Sequence, residues 1–156
     1  MKVLVIGTGA VGCAVAIAAA HAGMKTAVLA RSTTADYIQE RGLKRTGIFG
    51  ELEIAPDRIT VYQDYSEVAS GFDFIAVAVK TMVNEAVAEK LAEHREILGR
   101  NGRIVIFQNG WGNDEPYLAH FPASQVFNAR VMEGLISKAD MNLYRAKRSK
   151  PGKKAT

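Results

Sequence analysis

The chain opens on Lys2-Val3-Leu4-Val5-Ile6, runs directly into Gly7-Thr8-Gly9-Ala10-Val11-Gly12, and continues through an alanine-rich stretch to Gly23. No other feature constrains the fold as tightly. A short β-branched apolar run reads as a strand buried on both faces of a parallel sheet. A helix then reads from about Ala10 to Ala22, closed by Gly23 as its C-terminal cap. The G-x-G-x-x-G spacing between the two has a mechanism: Gly7 permits the tight turn, Gly9 lets the backbone approach a pyrophosphate, and Gly12 lets helix and strand pack closely. The helix N-terminus offers free N–H groups and a positive dipole end to the phosphates. The whole turn from Gly7 to Gly12, with Thr8, Ala10 and Val11 inside it, is therefore expected to bind a dinucleotide. The alternative is a tight strand-to-helix turn with no ligand, and Thr8 and Cys13 by themselves read as turn and packing residues.

The same segment invites a membrane reading. Lys2 is followed by 18 uncharged residues, Val3 to Ala20, a length that suits a signal peptide or a short span. Three glycines inside the run and its alanine-rich composition favour the strand-turn-helix reading, and no membrane association is expected. A net charge of +4 could suggest nucleic acid as a partner. Six of the basic residues (Arg145, Lys147, Arg148, Lys150, Lys153 and Lys154) lie after Tyr144 with no acid among them. Residues 1–144 then hold 14 basic against 16 acidic side chains. The body is mildly acidic, so no nucleic-acid binding is expected of it. The single cysteine, Cys13, cannot close an intrachain disulfide, which suits a cytoplasmic protein. His21, His94 and His120 are scattered, and no metal site is expected.

A second strand, Lys25 to Ala30, ends in Arg31-Ser32. Arg31 stands 19 residues after Gly12, where an acid would hydrogen-bond the adenosine ribose of NAD. An arginine there can pair with the 2′-phosphate instead, so NADP(H) is the expected cofactor, with Arg31 and Ser32 as its clamp. The alternative is a solvated arginine at a strand end. Thr33 or Thr34 is expected to cap a short helix through Arg41, and Leu43–Ile48 with Glu51–Ile54 reads as a hairpin around Phe49-Gly50. Further strands read at Ile59–Tyr62, Asp73–Val79, Arg103–Phe107 and a last core strand at about Gln125–Val131. A helix from about Val83 to Leu98 carries Val83, Val87 and Leu91 on one face. Glu115 and Asp114 open a helix near Pro116, where acids suit the dipole. This order predicts an α/β fold: a doubly wound parallel sheet of Rossmann type in three α/β/α layers. Ligands bind such sheets beyond the carboxyl ends of the strands, and Arg31, Lys80 and Asn109 all fall there. Lys80 could turn a cation toward cofactor ribose or substrate carboxylate, and Asn109 could hydrogen-bond near the nicotinamide.

These residues, in this order, resemble the N-terminal domain of the ketopantoate reductase family (2-dehydropantoate 2-reductases). The features that carry the resemblance are Met1 to Gly12, Arg31 after the second strand, Ala78-Val79-Lys80-Thr81, and Gln108-Asn109-Gly110 with Glu115 five positions later. It covers about residues 1–137 and leaves 138–156 as a basic tail, expected to be partly disordered. The resemblance implies NADPH-dependent reduction of the 2-keto group of ketopantoate to pantoate, in pantothenate biosynthesis. It places Arg31 on the 2′-phosphate, with Lys80 and Asn109 as the catalytic pair near nicotinamide and substrate. The family's helical C-terminal domain, which supplies a lysine proton donor and a substrate-binding glutamate, has no counterpart in these 156 residues. Dinucleotide binding with little or no turnover is therefore expected of this chain. Self-association is expected through apolar surface left near the last strand. A non-catalytic nucleotide-sensing module that regulates a partner is the alternative, since such modules share the glycine motif.

Overall fold

The computed structural model describes residues 1–46 and 50–130. Six strands form one parallel sheet: β1 (Lys2–Ile6), β2 (Lys25–Leu29), β5 (Ile59–Tyr62), β6 (Phe72–Val77), β7 (Leu98–Ile106) and β8 (Val126–Asn128). Their spatial order is β5-β2-β1-β6-β7-β8. A separate antiparallel pair, β3 (Leu43–Arg45) and β4 (Leu52–Ile54), is the expected hairpin; Gly47 and Ile48, the end of its expected first strand, and Phe49 of its expected turn lie outside the described residues. The helices are α1 (Ala10–His21), α2 (Ser32–Arg41), α3 (Asn84–Glu93) and the single turn α4 (Glu115–Leu118). The chain winds outward from β1 in both directions, so the direction of winding reverses between β1 and β6.

Side-chain alternation sorts the core into two layers, one on each sheet face. Leu4 and Ile6 of β1 join Ile75, Val77, Ile104 and Ile106 under α3 (Val87, Ala88, Leu91) and Tyr117. Val3 and Val5 point the other way, with Val28 and Ala76, against Cys13, Ala16 and Ile17 of α1. Helix α1 touches β1 and β2 on one side and the hairpin on the other. That double coverage explains why its sequence is apolar nearly all round, where a solvent-facing helix would alternate. The apolar run Val3–Ala20 is thus divided between a strand, a turn and a packed helix. Among the described residues no helix is long and apolar enough to cross a membrane.

β6 ends at Val77 and not Val79, and β7 spans Leu98–Ile106 and not Arg103–Phe107, taking in the expected turn Gly99–Gly102. Three further boundaries differ from the sequence expectation, each for a local reason. Helix α2 starts at Ser32 with Arg31 as its N-cap residue: the Arg31 carbonyl accepts from the amides of Thr34 and Ala35, at 2.8 and 2.9 Å. Helix α3 stops at Glu93, short of Leu98, because the next position of its apolar stripe after Leu91 is Arg95. That guanidinium lies over the Phe121 ring at 5.2 Å, a turn intervenes, and Leu98 opens β7 instead. The last strand spans only Val126–Asn128 and is an edge strand, with Phe127 46% exposed, not a core strand; Val131 and the tail 138–156 lie outside the described residues.

Candidate functional site

The carboxyl ends of β1, β6 and β7 meet around an open cleft of about 390 Å³. It is lined by Val11 from the glycine turn, Val79, Lys80 and Met82 from the segment after β6, and Phe107 and Asn109 from the end of β7. The end of β1, just before the turn, is tied to the segment after β6: the Ala78 amide donates to the Ile6 carbonyl at 2.8 Å. A side chain on Gly7 would meet the Ala78 carbonyl carbon and oxygen at 2.8 Å, and its φ of +97° already favours glycine. Gly12 is buried and has no room for a Cβ against the Gly7 carbonyl.

Gly9 is different. It is exposed, its φ of −81° suits any residue, and among the described residues, its chain neighbours aside, no atom lies within 4 Å of where its Cβ would be. Nothing among the described residues requires glycine there. The amides of Ala10, Val11 and Gly12 have no backbone acceptor among the described residues, while the Cys13 amide already bonds the Gly9 carbonyl at 2.9 Å. Free donors at a helix start beside an open backbone fit a phosphate. The residues present therefore suit the pyrophosphate of a dinucleotide, which Gly7 to Gly12 would hold through backbone atoms.

The three cations and amides expected at the strand ends are not all together. Lys80 and Asn109 both line the cleft, are exposed, and follow neighbouring strands. Arg31 and Ser32 are exposed at the end of β2, on the far side of β1 from Lys80. Neither Arg31 nor Lys80 makes an ion pair among the described residues. Along this end of the sheet stand a guanidinium after β2, the glycine turn after β1, and an ammonium and an amide after β6 and β7.

A polar cluster runs inward from the cleft wall, where Gln108 stands with Lys80 and Asn109, and of its members the sequence reading named only Gln108. Asn84 and Gln108 form a reciprocal amide pair, with Asn84 Nδ2 donating to Gln108 Oε1 at 2.7 Å and Gln108 Nε2 donating to Asn84 Oδ1 at 2.8 Å. Gln108 Nε2 also donates to the Val79 carbonyl at 2.7 Å. Asn84 Nδ2 reaches the Asn113 carbonyl at 3.3 Å, and Asn113 Nδ2 donates to the Asn109 carbonyl at 3.2 Å. The Tyr117 hydroxyl completes the set by donating to Asn84 Oδ1 at 3.2 Å. All four side chains are buried. One signal was available: Asn84, Ala88 and Leu91 share the buried face of α3, so Asn84 is a polar residue on an apolar stripe.

Burial pushes the Tyr117 phenol well above its ordinary range, with the Tyr65 side chain adding to the shift. Burial, then the Asp64 carboxylate, pushes Tyr65 up to about 12. The folded protein keeps both protons at a pH where the unfolded chain, with phenols near about 10, has released them. Stability is thus fully present below about pH 10 and falls as pH rises toward about 12. Urea midpoints measured across that range should decline, and Tyr117→Phe should flatten part of the slope; an unchanged slope would count against a buried neutral phenol.

Residues 3–151 match the family described as ketopantoate reductase PanE/ApbA. A curated 2-dehydropantoate 2-reductase from Aquifex aeolicus is 31% identical over 134 residues, 86% of this chain and 40% of that protein. Among solved structures, 2-dehydropantoate 2-reductase from Methylococcus capsulatus has a TM-score of 0.70 at 23% identity, over 85% of this chain and 41% of that one. A D-mandelate dehydrogenase, in a ternary structure with NADH and anilino(oxo)acetate, has a TM-score of 0.69 at 19% identity, over 83% and 40%. The chain spans well under half the length of each. The two structural likenesses establish the Rossmann-type fold.

Proposed function

The chain belongs to the ketopantoate reductase family, and from that premise we propose that it is the dinucleotide-binding part of an NADPH-dependent 2-dehydropantoate 2-reductase. The observation that carries the reading is the open space over Gly9, beside three first-turn amides without backbone acceptors. A bare βα turn gives no reason for glycine at that position; a pyrophosphate does.

Arg31 supports NADPH over NADH. A guanidinium without an ion pair among the described residues, next to the Ser32 hydroxyl and the start of α2, matches a 2′-phosphate in charge and donor geometry. Arg31→Ala should remove a hydrogen bond to a charged group, about 1.5–3 kcal/mol, and weaken NADPH about 10- to 150-fold with NADH little changed. Fluorescence titration with both cofactors measures this. Equal weakening of the two would show that Arg31 does not read the phosphate. No NADPH binding by the unaltered chain would remove the reading altogether.

The nicotinamide, when bound, supplies a hydride to the 2-keto carbon. The residues of this chain then have separate tasks. Lys80 presents a positive charge on the cleft wall that attracts the carboxylate of a 2-keto acid, and Asn109 lines the same cleft. The reduced oxygen must gain a proton from a positioned acid, and Lys80 is the lysine lining this cleft. Loss of NADPH absorbance on adding ketopantoate tests whether Lys80 suffices.

A further inference from the structure

We propose that the buried Asn84–Gln108 amide pair is a positioning device that holds the turns carrying Lys80 and Asn109, and with them the wall that receives the nicotinamide half of the dinucleotide. The proposal rests on the dinucleotide reading above. The sheet order β2-β1-β6-β7 sets adenosine at β2 and pyrophosphate at β1, which leaves the ends of β6 and β7 for the nicotinamide.

Three features separate this pair from ordinary core filling. First, it is saturated: both protons of each amide nitrogen are donated, and Asn84 Oδ1 accepts twice. Turning either amide over would set N–H against N–H and carbonyl against carbonyl, so one arrangement survives. Second, apart from the bond that Asn84 Oδ1 accepts from the core residue Tyr117, its outward bonds end on backbone turns. They end on the Val79 carbonyl, in the peptide that leads into Lys80, and on the 109–113 loop, through the Asn113 carbonyl and then Asn113 Nδ2 to the Asn109 carbonyl. Third, Asn84 shares the buried face of α3 with Val87, Ala88 and Leu91, and Gln108 follows the buried Ile106 by two positions. Apolar side chains of similar shape would fill that space with nothing to desolvate. What they could not do is grip two backbone turns on neighbouring strands.

Two variants of the full chain test the proposal. Gln108→Met keeps the length of the side chain and removes the grip on Val79 and Asn84. Asn113→Ala leaves the amide pair in place and releases only the Asn109 carbonyl. The reporters are amide exchange rates resolved by NMR: the Val83 amide bonds the Lys80 carbonyl at 3.1 Å, and the Glu115 amide bonds the Gly112 carbonyl at 3.3 Å. Gln108→Met should speed exchange at Val83 about tenfold or more while β1 stays protected. Asn113→Ala should speed Glu115 and spare Val83. In parallel, Gln108→Met should weaken NADPH about tenfold and leave adenosine 2′,5′-bisphosphate, which lacks the nicotinamide half, within about twofold of the unaltered chain. An unchanged Val83 rate, a uniform rise across the sheet, or equal weakening of both ligands would overturn the positioning role. If the unaltered chain binds neither ligand, the dinucleotide reading fails together with the nicotinamide wall, and the exchange pattern alone decides whether the pair holds the two turns.

Discussion

Gly12→Ala should destabilise the domain by about 3 kcal/mol, while Gly9→Ala should leave it folded and unable to hold a dinucleotide. The two positions sit three residues apart in one turn, yet their surroundings are opposite. A Cβ on Gly12 would fall inside the Gly7 carbonyl oxygen, and the Ala78 side chain closes the space at 3.3 Å. Gly7 cannot retreat, because it is pressed toward Ala78 and Val79 and held at positive φ. Relief would have to separate α1 from β1, where Cys13, Ala16 and Ile17 pack on Val3 and Val5. On Gly9 the added methyl meets no atom of the other described residues, and an alanine N-cap costs about 1 kcal/mol or less. The methyl would instead occupy the approach a pyrophosphate needs. Thermal unfolding and NADPH titration on both variants separate the cases. A Gly9→Ala chain that binds NADPH as the unaltered one does would refute the phosphate assignment, and a Gly12→Ala chain of normal stability would refute the close packing.

Local features were legible in the sequence, and non-local ones were not. The glycine turn, α1 and the inner strands depend on neighbours within a few residues, and the structure has them at the expected places. Lys80 and Asn109 were legible because a polar residue after a buried strand must lie at a sheet edge, and parallel strands share that edge. Their sharing of one cleft follows from β6 and β7 being neighbours. Arg31 stood at the same edge by the same logic, but the strand order sets it beyond β1 from the other two. The amide cluster has no local signature: Asn84 stands 24 to 33 residues from Gln108, Asn113 and Tyr117, and no local pattern pairs an asparagine on a helix with a glutamine after a strand. The overlong α3 has the reverse cause: its i, i+4 pattern was read past Leu91, where a turn to bring Ile97 into the core begins.

The largest pH-dependent effect is expected from Asn84→Asp. The Asn84 side chain is only 3% exposed, and its Nδ2 donates to two oxygens, Gln108 Oε1 and the Asn113 carbonyl. An ionised carboxylate there would turn oxygen against both acceptors with no cation in the cluster to offset it. Such an uncompensated buried charge costs about 3–5 kcal/mol. The carboxyl can avoid the charge by keeping its proton, which then serves one of the two acceptors, so burial raises its folded-state pKa above the ordinary value near about 3.9. The sign follows. Between the unfolded and folded pKa values the native state binds the extra proton, so stability relative to the unaltered chain falls as pH rises, by up to about 1.4 kcal/mol per unit. At pH about 4 the variant should lose only the worth of a hydrogen bond, about 1 kcal/mol. Near pH 7 the deficit should reach about 4 kcal/mol, where the cost of charge sets the ceiling. Urea midpoints of the two proteins at both pH values measure the difference. A deficit that is the same at pH about 4 and 7 would mean that the introduced carboxyl reaches solvent, and that the amide pair is not the closed, buried contact on which the wall of the cleft is built.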